Sequence, residues 1–549
     1  MTETISPGAL IEALTGGVEI ALIDVREQGV FSEAHMLAAN CIPLSRMERF
    51  IYDLIPRRNT RIVLVDEGPE DPFKLAEKAS ARLLNYGYTD ILILEGGLEG
   101  WRGAGFSLFS GVNVVSKAFG EFVETSAGTP RIRAESLFEK MRTREKLVIF
   151  DARPKAEFFR MNIPGAINVP GAELVHCFFD LVPDAATPVV VNCAGRTRSI
   201  IGAQSLINAG VPNPVAALKN GTMGWHLAGF GLEHGNERPA PVPSADGLKK
   251  AIESAWRVAD RFGVRKIERS TLTEWKNETQ DRTLYVLDVR SPEEFEAGHL
   301  EGARNAPGGQ LVQATDEYAV VRNARIVLVD DNEVRAIMTA SWLIQMGWTD
   351  IFVLAGGMGQ DHLIKGPHRS FFPAFTESDM ISVAGLKMIL DAREPVAIVD
   401  LATSRGFKQA HIPGAWWAIR SRLAADVLRF PNTDRLILTS SDGMFAHLAT
   451  GEIKNTEFQR SVCVLEGGTA AWVDAGLPVD AGIKQTISPL NDLWNKPYER
   501  PDAPEQAMQE YLDWEVALVE QVKKDGTVKF RCGRRNDKAE KSRPDQARE

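Results

Sequence analysis

Residues 189–208 read VVVNCAGRTRSIIGAQSLIN and contain an apolar run, a short loop and a helix-like stretch. The apolar run ends at Cys193, and the loop that follows contains one glycine and two arginines. A cysteine between a buried strand and a helix start lies where unpaired backbone N–H groups and the positive helix end converge. Such a position is expected to lower the pKa of the thiol and to hold an anion at the sulfur. The stretch therefore predicts a strand–loop–helix unit with covalent sulfur chemistry at Cys193.

A longer pattern around this unit recurs four times along the chain. Each copy opens with an apolar strand that ends in aspartate, and a phenylalanine follows seven residues after the aspartate. The aspartates are Asp24, Asp151, Asp288 and Asp400, and the residues eleven positions later are His35, Asn162, His299 and His411. An arginine stands two residues after the first three aspartates, whereas the fourth copy has Ala402 there. We expect these Asp–Arg pairs to be structural ion pairs and the histidines to be hydrogen-bonded structural residues.

Each copy continues with a second strand, a helical stretch and a third strand that ends in a glycine turn. The second strands are predicted at residues 62–65, 189–192, 326–329 and 436–439. In three copies a tryptophan follows the turn, at Trp101, Trp225 and Trp472, and we expect these rings in the core. Strands that alternate with helices over about 110 residues imply a parallel sheet covered on both faces. The sequence therefore predicts a string of four α/β domains.

Composition limits the classes of protein that fit. The 549 residues carry a net charge of −10 without a basic stripe, which argues against a nucleic-acid partner. No apolar run approaches the length of a membrane span, and the N-terminus lacks a signal-peptide pattern. The five cysteines form no C-x-x-C pair, so we expect no metal site, and their odd number suits a reducing compartment. The cytoplasm is therefore the expected location. We expect four of them to be structural: Cys41, Cys177, Cys463 and Cys532.

The C-terminal part lacks the repeat. Residues 505–523 carry apolar side chains at mostly helical spacing and are predicted to form a helix that packs on a domain. Residues 533–549 mix both charges without large apolar residues and are predicted to be a disordered tail.

Taken together, the motifs resemble those of the rhodanese-like family. The resemblance rests on Asp-x-Arg-x4-Phe, the His/Asn-x-Pro-Gly-Ala segment, the strand that ends at cysteine and the closing Gly-x3-Trp, and it covers about residues 1–480. It implies an α/β fold of four tandem rhodanese-like domains, each a parallel β-sheet flanked by helices, with a C-terminal helical tail. The segments are residues 1–110, 125–238, 260–371, 375–482 and 483–549. It also implies transfer of sulfur from a donor to a thiophilic acceptor through a cysteine persulfide, without a cofactor.

The four copies serve as controls for one another. Counting along each copy places Asp66, Asp330 and Ser440 where the second copy has Cys193. We therefore expect domain 2 to be catalytic and domains 1, 3 and 4 to be inactive. Backbone N–H groups of the loop are expected to surround this position in each copy. A carboxylate at Asp66 or Asp330 is expected to accept hydrogen bonds from that ring of N–H groups as a permanent anion. By analogy with two-domain members of the family, domains 1 and 2 are expected to form one pair and domains 3 and 4 a second.

The loop after Cys193 defines the predicted site. Cys193 is the predicted nucleophile, and backbone N–H groups are expected to stabilise its thiolate and persulfide. Gly195 is expected to let the loop turn without a clash, and Arg196 and Arg198 to bind an anionic donor such as thiosulfate. Because the third copy keeps Arg335 at the matching place, Arg198 is also a candidate for a structural ion pair with a carboxylate. The predicted substrate-binding residues are Ala194, Gly195, Arg196, Thr197, Arg198 and Ser199.

Several functions fit this loop. Arg198 follows Cys193 in a Cys-x4-Arg pattern, one residue shorter than the Cys-x5-Arg loop of phosphatases related to this fold, which disfavours a phosphatase. A sulfurtransferase would pass sulfur from a small-molecule donor to cyanide or a thiol. A persulfide carrier would instead be loaded by a protein partner. A scaffold or sensor would use the domains for binding alone.

Overall fold

The computed structural model describes residues 3–359, 363–373, 378–430, 433, 435–454, 458, 460–500 and 502–531. Four parallel β-sheets follow one another along these residues, each flanked by helices, and a long helix lies near the C-terminal end. This arrangement confirms the predicted fold class. Cys532 and the predicted tail at residues 533–549 lie outside the described residues.

Domain 1 has the strand order β1-β5-β4-β2-β3, with every pair parallel. Its elements are β1 (Glu3–Ile5), α1 (Pro7–Thr15), β2 (Ile20–Asp24), α2 (Gln28–Phe31), β3 (Asn40–Cys41), α3 (Met47–Leu54), β4 (Arg61–Val65), α4 (Leu75–Asn85), β5 (Ile91–Leu94) and α5 (Gly97–Gly103).

Domain 2 has the order β6-β10-β9-β7-β8. The region contains α6 (Val114–Ala127), β6 (Arg131–Ile132), α7 (Ala134–Arg142), β7 (Val148–Asp151), α8 (Lys155–Arg160), β8 (Ile167–Asn168), α9 (Glu173–Leu181), β9 (Val189–Asn192), α10 (Thr197–Asn208), β10 (Val215–Leu218) and α11 (Gly221–Leu227).

Domain 3 has the order β11-β16-β15-β12-β13. The region contains α12 (Ala245–Phe262), β11 (Arg265–Ile267), α13 (Arg269–Asn277), β12 (Leu284–Asp288), α14 (Pro292–Ala297), β13 (Arg304–Asn305), α15 (Gly308–Gln313), β14 (Val321–Arg322), β15 (Arg325–Val329), α16 (Val334–Gln345) and β16 (Ile351–Leu354).

Domain 4 repeats the order as β17-β21-β20-β18-β19. Its elements are β17 (Met380–Ile381), α17 (Val383–Asp391), β18 (Ala397–Asp400), α18 (Ser404–Gln409), β19 (Trp416–Trp417), α19 (Arg420–Asp426), β20 (Arg435–Thr439), α20 (Met444–Lys454), β21 (Ser461–Leu465) and α21 (Gly468–Asp474), and the long C-terminal helix is α22 (Pro504–Asp525).

The strand that leads to Cys193 lies in the middle of its sheet. β9 pairs in parallel with β7 on one side and β10 on the other, and all four of its residues are buried. Helices cover both faces of such a sheet, so its central strands are apolar throughout rather than alternating. The carboxyl end of a central parallel strand is where α/β proteins place their ligands. The fold thus places Cys193 at the carboxyl-terminal end of the sheet, where a site is expected.

The predicted Asp–Arg ion pairs are confirmed in the first three domains. In domain 2 both Asp151 and Arg153 are fully buried, and the guanidinium binds the carboxylate at 2.6 and 2.8 Å. Arg153 also donates to the Met161 carbonyl, which ties the loop after β7 to the chain ten residues after Asp151. The equivalent pairs are Asp24–Arg26 and Asp288–Arg290. In domain 4, Asp400 instead accepts hydrogen bonds from the backbone of Ala402 and the hydroxyl of Thr469.

The histidines of the repeat are structural, as predicted. His35, His299 and His411 are buried, and each Nδ1 forms a hydrogen bond of 2.8–2.9 Å with a backbone carbonyl. Each ring stacks on the phenylalanine four residues earlier, at centroid distances of 3.7–3.9 Å. In domain 2, Asn162 donates to the Phe158 carbonyl and so keeps the local connection without a ring. The three tryptophans are also buried, as predicted.

The domains pair differently from the prediction. One compact unit contains most of domain 1 together with domain 4, and the other contains domains 2 and 3 with α22. The predicted pairing of 1 with 2 and 3 with 4 is therefore wrong. Within the second unit, α12 packs against both α9 of domain 2 and α16 of domain 3 and buries residues such as Ala251, Ala255 and Val258. The sequence analysis did not predict this helix. Through its contacts, domain 2 pairs with domain 3, the domain that follows it in the chain.

Candidate active site

A glycine turn holds the backbone of the Cys193 loop in place. Asn220 and Gly221 follow β10 with φ of +63° and +56°, and the next two amides donate to the carbonyls of Cys193 and Ala194 at 2.8 and 2.9 Å. A side chain at Gly221 would collide with the Cys193 carbonyl and would lie 2.6 Å from that of Gly195. The glycine turn of the Gly-x3-Trp motif thus packs directly against the backbone of the cysteine loop.

Replacing Gly221 with alanine is expected to lower the free energy of unfolding by about 2–3 kcal/mol, because a positive φ and a backbone clash both oppose the side chain. The Cys193 loop should shift as a result, and reactions at the thiol should slow. Gly229→Ala is the matched control, since Gly229 also has a positive φ of +83° but nothing within 4 Å of the added carbon. Equal losses of unfolding free energy for both variants in urea would show that the contact between Gly221 and the cysteine loop does not contribute to stability.

The Cys193 thiol is buried, with 2 % of the residue exposed. Its Sγ lies 3.5 Å from Ser199 Oγ, and the Ser199 backbone N–H also points to it. Burial raises the pKa of the thiol above its ordinary value, although the charge of Arg198 and both groups of Ser199 act in the opposite direction. The predicted net lowering of this pKa is therefore wrong, because desolvation exceeds the favourable contacts.

The structure places Arg196 against α6 and not in an open anion pocket. Its guanidinium forms two hydrogen bonds of 2.6 Å with Glu121, one of 2.7 Å with Glu124 and one of 3.1 Å with Asn220. Burial disfavours its charge, but these carboxylates raise the pKa of Arg196 above its ordinary value. Arg196 thus joins the loop to α6, and the donor-binding role predicted for this side chain stays a prediction.

Arg198 forms the predicted ion pair with a carboxylate. It binds Glu157 on α8 at 2.9 Å and the side-chain oxygen of Gln310 at 3.2 Å. Despite burial, the charges of Arg198 and Lys496 lower the pKa of Glu157 well below its usual range. Arg335, its counterpart in domain 3, makes the equivalent ion pair with Glu294. The conserved geometry of the two copies indicates a structural role, while the charge of Arg198 still favours the Cys193 thiolate.

The remaining predicted residues lie on the same loop. Ala194 is half-buried, and Thr197 is buried at the first turn of α10 beside Gly120 of α6. Within the part of the chain that the structure describes, Thr197 Oγ1 has no hydrogen-bond partner. A side chain at Gly195 would start 2.9 Å from Met223 Cε and 3.1 Å from Glu515 Oε2. Glycine at this position thus allows two other elements to approach the loop.

Domain 3 shows what the loop does with a negative charge. Asp330 replaces the cysteine, and its carboxylate accepts backbone N–H bonds from Glu333, Arg335 and Ala336 at 2.6, 2.9 and 3.4 Å. These amides stand three, five and six residues after the aspartate, where domain 2 has Arg196, Arg198 and Ser199. Burial raises the pKa of Asp330 to about 6, so the group is an anion at neutral pH. The predicted filling of the N–H ring is confirmed.

The other two copies differ in detail. Asp66 in domain 1 accepts backbone N–H bonds from Gly68 and Ala76 at 3.0 and 2.9 Å, which again confirms the prediction. Ser440 in domain 4 is buried, and its hydroxyl has no hydrogen-bond partner among the residues described.

Two helices, α6 and α22, cover the Cys193 loop. The sequence did not predict that either of them would pack there. α6 supplies Lys117 and Glu121, and α22 supplies Tyr511 and Glu515, all on the side of the loop that carries Gly195. Apolar spacing predicted a helix at residues 505–523, which the structure confirms as Pro504–Asp525, but nothing in that spacing indicated where it packs. The acidic and aromatic residues of this helix indicate its place beside the cysteine loop only when the position of that loop is already known.

Cys177 has a different environment from Cys193. Burial raises the pKa of its thiol to about 12, which fits the predicted structural role. Cys177, His176 and Glu173 offer ligand atoms within 4.8 Å of one another. His176 Nδ1 lies 3.1 Å from Glu173 Oε2 and 3.8 Å from Cys177 Sγ, while Arg335 binds Glu173 Oε1 and Asn332 bonds His176 Nε2, both at 3.0 Å, so contacts within the protein already hold the three side chains.

Comparison with known proteins agrees with this geometry. The profile of the Rhodanese-like domain matches residues 6–104, 135–228, 271–360 and 380–475. The chain belongs to the rhodanese-like family. A crystal structure of a thiosulfate sulfurtransferase from Pseudomonas aeruginosa superposes with a TM-score of 0.92 and 48% identity, over 96% of this chain and 99% of that one. This rhodanese is thus an enzyme of the sulfurtransferase type.

Curated relatives match parts of the rhodanese chain. The 3-mercaptopyruvate sulfurtransferase of Escherichia coli K12 is 28% identical over 215 residues, which are 34% of this chain and 74% of the relative. The uncharacterized protein YqhL of Bacillus subtilis is 40% identical over 87 residues, 16% of this chain and 68% of its own. No described helix combines the length and apolar character that crossing a membrane requires.

Proposed function

We propose that this rhodanese transfers the sulfane sulfur of an anionic donor such as thiosulfate to cyanide or a thiol through a persulfide on Cys193. The other three domains carry no thiol at the equivalent place and are proposed to be inactive. The ring of backbone amides seen in domain 3 is the observation that supports this assignment best.

Domain 3 carries a loop equivalent to the one that follows Cys193 in domain 2. Three backbone N–H groups there bind a buried anion that extends from the cysteine position. In domain 2 the same position carries a thiol, and the Ser199 N–H already points to its sulfur. A Cys193 thiolate or persulfide would therefore meet donors in place before reaction, which stabilises charge without reorganisation.

The chemistry then has two steps. The Cys193 thiolate forms a bond to the outer sulfur of thiosulfate, the S–S bond of thiosulfate breaks, and sulfite leaves with the electron pair. The acceptor, cyanide or a thiolate, next bonds the terminal sulfur of the persulfide, and the electron pair of that S–S bond returns to Cys193. No cofactor enters either step.

Intact-mass spectrometry of the full chain with thiosulfate tests the proposal. We expect the mass to increase by one sulfur atom, the added sulfur to map to the peptide containing Cys193, and cyanide to remove it as thiocyanate. Loading with 3-mercaptopyruvate and not thiosulfate would reassign the donor. Loading only when a persulfide-bearing protein is supplied would favour the carrier alternative over the proposed enzyme. Absence of any added sulfur with all three donors would refute the persulfide on Cys193.

A further inference from the structure

The Cys193 thiol has to lose a proton inside a buried site. Its pKa is raised by burial, so the resting form is the thiol. Ser199 Oγ already donates to the Arg196 carbonyl at 2.8 Å, and the two arginines of the loop carry no lone pair that could take a proton. Glu121 and Glu157 are held by bidentate contacts with Arg196 and Arg198. The attack on sulfur therefore needs a proton acceptor that these groups do not provide.

Glu515 on α22 lies beside the Cys193 loop and has a carboxylate oxygen that can accept a proton. The residue is 2 % exposed, and its Oε2 lies 3.1 Å from where a Gly195 side chain would begin. Oε1 accepts the Tyr511 hydroxyl at 3.0 Å, whereas Oε2 has no hydrogen-bond partner among the residues described. Buried polar atoms are rarely left unsatisfied, and an exception calls for a functional explanation.

Burial and the positive charges around Glu515 act on its pKa in opposite directions. Burial raises its pKa to about 7, and Lys117 and Arg196 oppose that shift while Glu121 adds to it. Lys117 itself is buried, with Nζ 5.1 Å from the Tyr511 ring centroid and 5.0 Å from that of Trp514, and burial lowers its pKa to about 8. The groups that face Glu515 are Lys117 and Glu121 from α6, Cys193 and Arg196 from the loop, and Tyr511 from its own helix.

We propose that the Glu515 carboxylate accepts the thiol proton of Cys193 when sulfur is loaded and returns it when the sulfur leaves. In loading, the proton moves to Oε2, the thiolate bonds the outer sulfur, and sulfite departs with the electron pair of the broken S–S bond. In unloading, the acceptor takes the terminal sulfur, the electron pair returns to Cys193 Sγ, and Glu515 gives the proton back. No oxidant or reductant is required. The step rests on the proposed function, because it describes how that persulfide forms.

Alkylation of Cys193 by iodoacetamide tests the proton step separately from sulfur transfer. The rate is followed on the Cys193 peptide of the full chain between about pH 5.5 and about pH 9, and the same variants are then loaded with thiosulfate. Because the carboxylate is the accepting form, the wild-type rate should rise with pH through an inflection near 7. Glu515→Gln should lose this inflection and react about 100-fold more slowly in both assays at neutral pH, the usual size of a proton-transfer contribution.

Two further variants make the result specific. Glu510→Gln changes an exposed glutamate on the same helix and should behave as wild type. Glu515→Asp should keep the inflection at a reduced rate. A wild-type profile in Glu515→Gln, or a wild-type enzyme without an inflection near 7, would overturn the proposal, and the second observation needs no variant to fold. A wild-type chain that alkylates with the inflection but never gains sulfur would refute the proposed function while leaving the proton transfer in place.

Discussion

Cys193→Ser should abolish sulfur loading and reduce thiocyanate formation from thiosulfate and cyanide by at least about 1,000-fold. The substitution removes the sulfur atom to which the persulfide is attached, and a hydroxyl is far less easily ionised than a thiol. The backbone amides and the Arg198–Glu157 ion pair remain, but they have no nucleophile to assist. Steady-state thiocyanate production, measured with the full chain, gives the size of the loss.

The loss has to come from chemistry and not from unfolding. Serine is close in size to cysteine, so Cys193→Ser should change the free energy of unfolding by only about 1 kcal/mol. Cys177→Ser is the matched control, because Cys177 is buried in the same domain and burial raises the pKa of its thiol to about 12. Thiocyanate formation that persists in Cys193→Ser would locate the transfer at another residue. An equal loss in Cys177→Ser would point to a general effect of thiol removal.

Asp151→Ala should lower the free energy of unfolding of the unit containing domain 2 by about 3–5 kcal/mol. The substitution leaves the Arg153 guanidinium, which is fully buried, without its carboxylate, and an uncompensated buried charge is the costly case. Asp151 also accepts a hydrogen bond of 2.9 Å from Asn192, the last residue of β9 before Cys193. The damage should therefore reach the cysteine loop as well.

Domain 4 provides the comparison. Asp400 occupies the equivalent position and is equally buried, but its partners are the Ala402 amide and the Thr469 hydroxyl instead of an arginine. Asp400→Ala should cost about 1–3 kcal/mol, the range expected for unsatisfied neutral donors. Calorimetric unfolding of both variants decides the matter. Similar losses would mean that the Asp151–Arg153 pair has little net value beyond its hydrogen bonds.

Much of the fold followed from the spacing of residues along the chain. Aspartate, phenylalanine, histidine or asparagine, and the glycine turn occur in the same order in all four copies. Each of these residues makes contacts within its own domain, such as the stacking of His299 on Phe295 four residues earlier. Because these residues contact one another within each repeat, they recur at the same spacing in every copy. That is why the four sheets, the position of Cys193 and the structural ion pairs could be predicted.

The neighbours of the cysteine loop could not be predicted in the same way. Arg196 looked like an anion ligand because the carboxylates that bind it, Glu121 and Glu124, lie about 75 residues earlier on a helix outside the repeat. Glu515 lies more than 300 residues after Cys193 along the chain, on α22. The domain pairing depends on α12, whose apolar face packs on two domains at once. These contacts join segments that lie far apart in the sequence, so the repeated pattern does not reveal them.

The sequence by itself thus determined the four α/β domains and the single thiol at the end of a buried central strand. Only the tertiary structure decided which domains share a compact unit, which charges surround the thiol, and that burial raises its pKa. The physical reason is range. Backbone pairing and packing within about 110 residues are encoded by local periodicity, whereas desolvation and charge at Cys193 depend on helices brought together from distant parts of the chain.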